Sequence, residues 1–361
     1  MTSAAKSDSH PAQTSLLTFH TPWRTRLSVE RIGTVYLWVI AVAVFSAWRP
    51  HIFPNYLTVV GVLNSVSIPG LLALAVIVPL AAGVFDLSVG YILGLANVLT
   101  ASLLAGGHSV LAAIVITLAV SLMVGMVNGF VVVVMRIDSF IGTLATGSLV
   151  LALILQVSGN QEITANVTKI QAFTGRELHL ITLPVFVFFA VAIVLWLVLD
   201  YSVTGRRIYA TGLGREQARL AGIKTGKLQF SSFLVSAFIA GCAGCLLTGI
   251  VGAGSPTAGP PYLIPAFAAA FLGATQLKDG LFNSIGTVMA TLLLGTLNVG
   301  LALATSALWA PDVFNGIVLI AALGLRVTQT SSVSLNPLAR LRTARTVLRH
   351  PKPPERVDAT P

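Results

Sequence analysis

The chain has 361 residues, of which 55% are hydrophobic and only 9% are charged, and its formal net charge is +10. Its mean hydropathy of +0.87 excludes a soluble globular domain. A bilayer core of about 30 Å needs about 20 apolar residues per helix, and lipid offers the backbone no hydrogen-bond partners. The composition therefore predicts an all-α polytopic membrane protein.

Apolar runs separated by polar, glycine or proline clusters predict about ten transmembrane helices. In chain order these cover residues 33–48, 57–82, 88–106, 109–135, 139–158, 181–200, 229–252, 263–275, 282–303 and 309–326. Ten spans place both termini on one side of the membrane. The predicted organisation is an N-terminal tail over 1–32, a transmembrane domain over 33–326 and a basic tail over 327–361 that we expect to be mobile.

Basic residues test this arrangement, because Lys and Arg collect in cytoplasmic loops. With the N-terminus inside, the cytoplasmic segments hold Lys6, Arg24, Arg26, Arg31, Arg136, Arg206, Arg207, Arg215, Arg219, Lys224, Lys227, Lys278, Arg326, Arg340, Arg342, Arg345, Arg349, Lys352 and Arg356. Only Arg49, Lys169 and Arg176 fall outside. Both termini are therefore predicted to be cytoplasmic. Since the charge lies in loops and tails between spans, it does not indicate nucleic-acid binding.

One internal segment is far more polar than its surroundings. Residues Tyr201–Lys227, called here the polar island, read YSVTGRRIYATGLGREQARLAGIKTGK and carry six basic side chains. Helix-forming residues over 215–221 predict a short helix within the island. The charge distribution places the island in the cytoplasm, where a partner protein could press on it.

The sequence predicts no ATP hydrolysis by this chain itself. Gly226-Lys227 resembles the end of a phosphate-binding loop, but that motif needs a glycine five residues earlier and a Ser or Thr after the lysine. Those positions hold Ala221 and Leu228. The six histidines form no close ligand cluster and the predicted spans contain no paired carboxylates, so we predict neither an enzyme active site nor a bound cofactor or metal.

The two cysteines form a C-x-x-C motif, Cys242-Ala-Gly-Cys245, whose spacing can serve redox or metal chemistry. The pair lies inside an apolar span among alanines and glycines, which let helices approach closely. This context favours helix packing as the role of the motif.

Asp86 is the acid placed nearest to membrane depth, within Gly83-Val-Phe-Asp-Leu-Ser-Val-Gly90. A charge inside the membrane indicates a function by default. The alternative is that Asp86 or Ser88 caps the third helix while the two glycines allow a tight bend. The candidate residues for the transport path or its gate are Asp86, Ser88, Asn128, Thr143 and Asn298.

Five sequence blocks, in order, resemble the membrane permeases of ribose/xylose/arabinose-class ATP-binding-cassette importers. They are GVFDLSVGYILGLANVLTASLL at 83–104, NGFVVVVMRIDSFIGTLATGSLV at 128–150, TGRRIYATGLGREQARLAGIKTGKLQ at 204–229, AGSPTAGPPYLIPAFAAAFLGATQL at 253–277 and GTVMATLLLGTLNVGL at 286–301. They are distributed over most of the stretch 60–303, and the ordered set is far more specific than any single block.

The resemblance implies a subunit of about ten helices in the bacterial inner membrane, paired with a second permease subunit, identical or different. It also implies two cytoplasmic ATPase subunits that use ATP and Mg, and an extracytoplasmic solute-binding protein. In such importers a short cytoplasmic helix docks on the ATPase. The resemblance assigns this coupling role to the loop 201–228, and within it to Gly214, Arg215, Glu216, Gln217, Ala218, Arg219, Leu220, Ala221 and Gly222.

The chain departs from the family pattern at three places. After P-T-A-G-x-x-Y the family commonly has E-L-D-A-I-A-A, whereas here Tyr262 is followed by Leu-Ile-Pro-Ala-Phe-Ala, so both acids are missing. The G-G-T-S-L-S-G-G turn and the P-P-F-I-A-T-L stretch are also altered, at 272–280 and 137–144. We therefore expect contacts with the binding protein or the solute that differ from those of a typical ribose permease.

Three functions remain open at this point. The first is the permease of a sugar-type importer, for a pentose such as ribose, a hexose, a polyol or autoinducer-2. The second is a permease for branched-chain amino acids, in which Q-L-S-L-G usually replaces D-L-S-V-G, so Asp86 favours the first. The third is a stand-alone secondary carrier, which needs paired ion ligands or broken helices in both halves. The sequence does not identify the solute, because a separate binding protein supplies much of the selectivity.

Overall fold

The computed structural model describes residues 29–164, 166–275, 280–305, 307 and 309–332. Within this part of the chain the α-helices are α1 (Val29–Trp48), α2 (Tyr56–Ala81), α3 (Val89–Ala105), α4 (Val110–Gly129), α5 (Ser139–Ser158), α6 (Thr168–Thr174), α7 (Leu183–Trp196), α8 (Val203–Leu213), α9 (Arg215–Leu220), α10 (Thr225–Val251), α11 (Leu263–Ala274), α12 (Ser284–Thr305) and α13 (Ala310–Ser332). Two-residue strands β1 (Glu177–Leu178) and β2 (Ile181–Thr182) pair antiparallel. Short π-helical turns, Phe130–Val134 and Leu197–Tyr201, extend α4 and α7.

Helices occupy every predicted span, with ends that differ by a few residues. Those long and apolar enough to cross a membrane are α2, α4 with its π-turn, α5, α7 with its π-turn, α10 and α12. The apolar stretches of α1, α3, α11 and α13 are shorter, at 10–17 residues. The predicted all-α polytopic class is confirmed, while ten crossings and cytoplasmic termini stay predictions.

Some elements were not predicted. The polar island holds two helices, α8 and α9, rather than one. Helix α8 is capped by Ser202, whose hydroxyl accepts a hydrogen bond from Gly205 N–H at 2.9 Å. Helix α6 and strand β1 lie between predicted spans, and β2 takes the first two residues of the predicted span 181–200. Most of the predicted tails, 1–28 and 333–361, and Lys278 lie outside the described residues.

The centre of the bundle is formed by α2 and α10. Most of α2 from Val66 onward is buried, and this helix packs against α7, α10, α11 and α12. Helix α10 packs in turn against α3 and α4. Both central helices are apolar on all sides, as expected for helices surrounded by other helices. Outer helices expose large apolar side chains, such as Leu111 in α4 and Leu149 in α5, as expected for surfaces that face lipid.

Candidate coupling and transport site

The Asp86 carboxylate is fully buried in the loop that joins α2 to α3. One oxygen, Oδ1, accepts hydrogen bonds from Ser88 N–H at 3.1 Å and from Ser88 Oγ at 2.7 Å. The other, Oδ2, accepts from Ser236 Oγ in α10 at 2.9 Å. Within the described residues no basic side chain forms an ion pair with Asp86. Hydrogen bonds from the loop and from α10 therefore hold the buried acid, as burial of such a group requires.

Ser88 occupies the N-cap position of α3, but its side chain makes no capping bond to the helix. Its hydroxyl donates to Asp86 and accepts from Asn128 Nδ2 in α4 at 2.6 Å. Asn128 Oδ1 is buried without a hydrogen-bond partner in the described part of the chain. Asp86 does accept from the backbone N–H of Ser88 at the start of α3, as a capping side chain would. Because Asp86 also bonds to α10 and Ser88 to α4, capping alone does not account for this pair.

Thr143 completes the contacts of the same loop. Its hydroxyl accepts from Leu87 N–H at 3.0 Å and donates to Ser139 O, one turn earlier in α5, at 2.7 Å. Ser139 Oγ accepts from Phe85 N–H at 3.0 Å. Four of the candidate path residues, Asp86, Ser88, Asn128 and Thr143, therefore meet at one place. We call these four side chains with Ser236 the Asp86 cluster.

The predicted coupling residues of the polar island form an exposed surface. Leu213, at the end of α8, is 74% exposed, and Leu220, at the end of α9, is 80% exposed. Between them Glu216 and Arg219 form an ion pair at 2.6 Å with side chains that are mostly in solvent. Ala218 is the buried member of α9. The remaining predicted coupling residues that α9 and its C-terminal turn expose are Arg215, Gln217, Ala221 and Gly222.

The polar island touches the loop of the Asp86 cluster backbone to backbone. A Cβ atom on Gly83 would lie 3.0 Å from the Cα atom of Gly212 in α8, and a Cβ atom on Gly212 would overlap the carbonyl of Ala81. Gly83 also has φ +78°, a conformation that disfavours other residues. In addition, Gln229 Nε2 in α10 donates to Ala82 O at 3.2 Å. Movement of the polar island would therefore reach the Asp86 loop directly.

A polar groove of about 650 Å³ lies between the island and the loops that follow α2 and α4. Charged side chains line much of it: Arg136, Asp138, Arg215, Glu216 and Arg219. The Oε1 atom of Gln229, another lining residue, is buried without a hydrogen-bond partner in the described residues. The polar island therefore borders a concave, charged surface that lies next to its exposed leucines.

Asn298 in α12 lies apart from the Asp86 cluster. It lines a separate cavity of about 360 Å³ between α2, α11, α12 and α13. Asn298 is half-buried, and its Oδ1 atom has no hydrogen-bond partner in the described part of the chain. The predicted path residues thus divide between two sites.

The cysteine pair is packed within the bundle. Cys245 is buried and its sulfur accepts a weak hydrogen bond from Thr100 Oγ1 at 3.4 Å, while Cys242 is half-buried. The described part of the chain contains no group of three or more His, Cys, Asp or Glu side chains that could hold a metal. The packing role predicted for the motif fits this placement.

Sequence reasoning missed two polar residues at these sites. Ser236 lies 150 residues from its partner Asp86, and its only sequence signal was the small-residue stripe Ser232, Ser236, Ala240 and Gly244 along one side of α10. Asn315 in α13 lines the same cavity as Asn298 and was visible only as an amide within an apolar stretch.

A polytopic helical bundle with a buried polar centre and an exposed, charged helix pair packed against it is the architecture of a membrane transport subunit. The family model described as branched-chain amino acid transport system / permease component matches residues 58–323. The chain belongs to this family. It is a transport-system permease and a multi-pass integral membrane protein, which in bacteria means the inner membrane, so the predicted resemblance and location are confirmed.

Curated relatives cover most of the chain. The ribose import permease protein of Bacillus subtilis (strain 168) is 32% identical over 297 residues, or 81% of this chain and 92% of the relative. The D-allose transport system permease protein of Escherichia coli (strain K12) is 30% identical over 84% of this chain and 94% of its own. The L-arabinose transport system permease protein of the same strain is 28% identical over 83% and 92%. No solved structure matches the chain significantly.

Proposed function

We propose that this chain is the permease subunit of an ATP-binding-cassette importer for a monosaccharide, with ribose as the first candidate. The observation that carries the proposal is the similarity to ribose, allose and arabinose permeases, each extending over more than 80% of this chain. The chain forms the path through the membrane, and a separate ATPase, which binds ATP and Mg, supplies the energy.

Three kinds of protein partner belong to this proposal. Cytoplasmic ATPase subunits contact α9 through its exposed face around Leu220 and the Glu216–Arg219 pair. A second permease subunit, identical or different, completes the path. An extracytoplasmic binding protein delivers the sugar to the opposite end of the bundle.

Coupling in this proposal runs through packed backbone. Closure of the ATPase subunits moves α8 and α9 together, and the Gly212–Gly83 contact transfers that motion to the Asp86 loop. The loop is bonded to α4 and α5 through Ser88 and Leu87, and to α10 through Asp86. A shift of the loop therefore changes the packing of three spans together, which opens or closes one end of the path.

A second connection joins α8 to the start of α12. Tyr209 Oη donates to Phe282 O at 2.7 Å. Burial, and to a lesser degree the nearby Asp200 carboxylate, raises the pKa of Tyr209 well above its usual range, so the hydroxyl stays protonated and remains a donor. Motion of α8 is thereby also passed to α12, the helix that carries Asn298.

The alternative solute is a branched-chain amino acid, which the description of the matching family favours. Asp86 argues for a sugar, because it stands where amino-acid permeases usually have glutamine. A stand-alone secondary carrier is less consistent with this chain, since it leaves the exposed α9 without a role.

Transport assays with a panel of solutes test the proposal. The permease is reconstituted in liposomes with its ATPase and binding-protein partners, and uptake of labelled D-ribose, D-allose, L-arabinose and L-leucine is measured with ATP. We expect saturable uptake of at least one sugar and no uptake of leucine above empty liposomes. Leucine uptake without sugar uptake would refute the sugar assignment.

A further inference from the structure

The cavity that contains Asn298 has the size and shape of a small-molecule site. Its volume of about 360 Å³ lies within the range of about 300–1,000 Å³ that such sites occupy, and at ~30 Å³ per water molecule it has room for about a dozen waters. Four helices contribute to it, and it opens to the surface where the lining residues Ala302 and Asp312 are exposed. Its side-chain oxygens and amides belong to Ser65, Tyr262, Thr291, Asn298, Asp312 and Asn315.

Two side-chain oxygens in this cavity lack hydrogen bonds. The Oδ1 atoms of Asn298 and Asn315 are both buried, and neither has a partner in the described residues. Asn315 is only 3% exposed. A buried acceptor left unpaired costs about 1–3 kcal/mol. Both side chains line the cavity, so rotation of either amide would bring its unpaired oxygen to a ligand that carries hydroxyl or amine donors.

Backbone acceptors line the same space. Pro69 lies inside the continuous helix α2 and cannot donate the helical hydrogen bond that the carbonyl of Ser65 would otherwise receive. Pro265 has the same effect on the carbonyl of Pro261 at the start of α11. All four residues line the cavity. A carbonyl without its helical donor can accept a hydrogen bond from a neighbouring group or from a ligand.

The lining also excludes one class of ligand. An amino acid presents a carboxylate that needs cationic or strong N–H donors, but none of the described residues lining the cavity is basic. Asp312, exposed at the start of α13, adds a further acceptor. Hydroxyl groups, each of which can donate, suit this acceptor-rich lining. The Tyr262 ring supplies a flat surface for the apolar face of a sugar ring.

Helix direction places the cavity far from the Asp86 cluster. Ser65 precedes Ala81, the end of α2, by 16 residues, which at 1.5 Å per residue corresponds to about 24 Å along the helix. The cavity therefore extends from the middle of α2 into the half of the bundle away from the polar island.

From these contacts we infer that the cavity between α2, α11, α12 and α13 is a monosaccharide-binding subsite within one permease subunit, with Asn298 and Asn315 as its specificity residues. The subsite receives the sugar in the half of the bundle away from the ATPase. This assignment rests on the proposed sugar-import function, but it makes a separate claim, that the permease itself recognises the solute's hydroxyl groups.

The test uses the reconstituted complex and four variants. Asn298→Leu and Asn315→Leu keep the branched shape of the side chain, place the larger leucine against the open cavity and remove the unpaired oxygen. Ala302→Trp fills the cavity from an exposed lining position, and Leu303→Trp, next to it but outside the lining, is the matched control. Binding of tritiated D-ribose to the permease–ATPase complex in nanodiscs is measured without the binding protein, and KM for ribose is measured in liposomes with it.

We expect each asparagine variant and Ala302→Trp to weaken ribose binding and raise KM about tenfold or more, with Leu303→Trp unchanged. Because each leucine removes an unsatisfied polar atom, the asparagine variants should melt at the wild-type temperature or above it, which a structural role would not produce. Ribose transport with unchanged KM in both asparagine variants overturns the subsite alone. Transport of leucine but none of the three sugars by the wild type overturns the proposed function itself.

Discussion

The backbone of Gly212 in α8 lies directly against the backbone of Gly83 in the α2–α3 loop, so that a Cβ atom on Gly83 would be 3.0 Å from Gly212 Cα. Gly83 is three residues from Asp86, and Gly212 is three residues from Arg215, where α9 begins. This contact joins the surface proposed for the ATPase to the buried polar centre with no intervening side chain. Rigid backbone contacts of this kind transmit small shifts better than flexible side chains do.

Gly212→Ala tests this contact. The added methyl group would overlap the carbonyl of Ala81, so one of the two segments must move. We expect uptake to fall at least tenfold while the ATPase still hydrolyses ATP, with a stability cost of about 1–3 kcal/mol. Gly61→Ala is the control, because its Cβ would meet no atom within 4 Å. Normal uptake by Gly212→Ala would argue against coupling through this contact.

Substitution of Asp86 should show a graded loss. Asp86→Asn keeps the size and the acceptor that faces Ser88 but replaces the oxygen that faces Ser236, whereas Asp86→Leu leaves all three donors unpaired. At about 1–3 kcal/mol per unpaired group, Leu should reduce thermal stability in detergent and uptake far more than Asn. Asp138→Asn, at the N-cap of α5 where Asn is equally suitable, should be nearly neutral. Equal uptake by both Asp86 variants and the wild type would remove the acid from the mechanism.

Ser236→Ala isolates the link from the Asp86 loop to α10. Removing its hydroxyl deletes the donor to Asp86 Oδ2 and leaves that oxygen buried. We expect a lower melting temperature and several-fold slower uptake, consistent with a cost of about 1–3 kcal/mol. Ser231→Ala on the exposed side of the same helix should resemble the wild type. If Ser231→Ala lowered the melting temperature and uptake as much as Ser236→Ala, the effect would reflect poor tolerance of substitution throughout α10 instead of loss of the bond to Asp86.

The double variant Glu216→Lys with Arg219→Glu tests the ATPase-facing surface. It exchanges the two charges of an exposed ion pair, which contributes only about 0–1 kcal/mol to folding, so insertion and melting should be unchanged. A partner that recognises the original charges would no longer match. We predict loss of solute-stimulated ATP hydrolysis. Full stimulation in the double variant would exclude this docking surface.

Thiol labelling tests the predicted topology. With both native cysteines replaced by alanine, transport should stay within about twofold, because cysteine in the bundle acts as a small apolar residue. In that background Lys169→Cys should react with a membrane-impermeant maleimide on intact cells, and Lys224→Cys only after permeabilisation. The opposite pattern would invert the assigned sides.

The sequence predicted the spans and the α9 helix because their signals are local. Apolar runs determine where helices cross, and the Arg215–Ala221 stretch contains good helix formers. The proximity of Asp86 to Ser88 was also predictable, because side chains only two positions apart in a loop cannot lie far from each other. The predicted helix ends were less accurate because capping and tertiary packing, rather than hydropathy, decide them.

The remaining features depend on tertiary contacts. Ser236 reaches Asp86 only because α10 crosses the bundle centre next to the α2–α3 loop. Asn315 lines the same cavity as Asn298 because α12 and α13 both border it, and hydropathy does not reveal which helices are neighbours. Helix α8 was missed because its glycines and β-branched residues have low helix propensity, whereas its Ser202 cap and its packing stabilise it.

The most direct test of the central claim is the energy source of sugar uptake. Liposomes containing the permease, its ATPase and its binding protein are supplied either with ATP or with an imposed proton gradient, and labelled D-ribose uptake is measured. We predict uptake with ATP that stops when the ATPase is omitted and is unaffected by collapse of the gradient. Ribose uptake by the permease alone, driven by the gradient without ATP, would contradict the account.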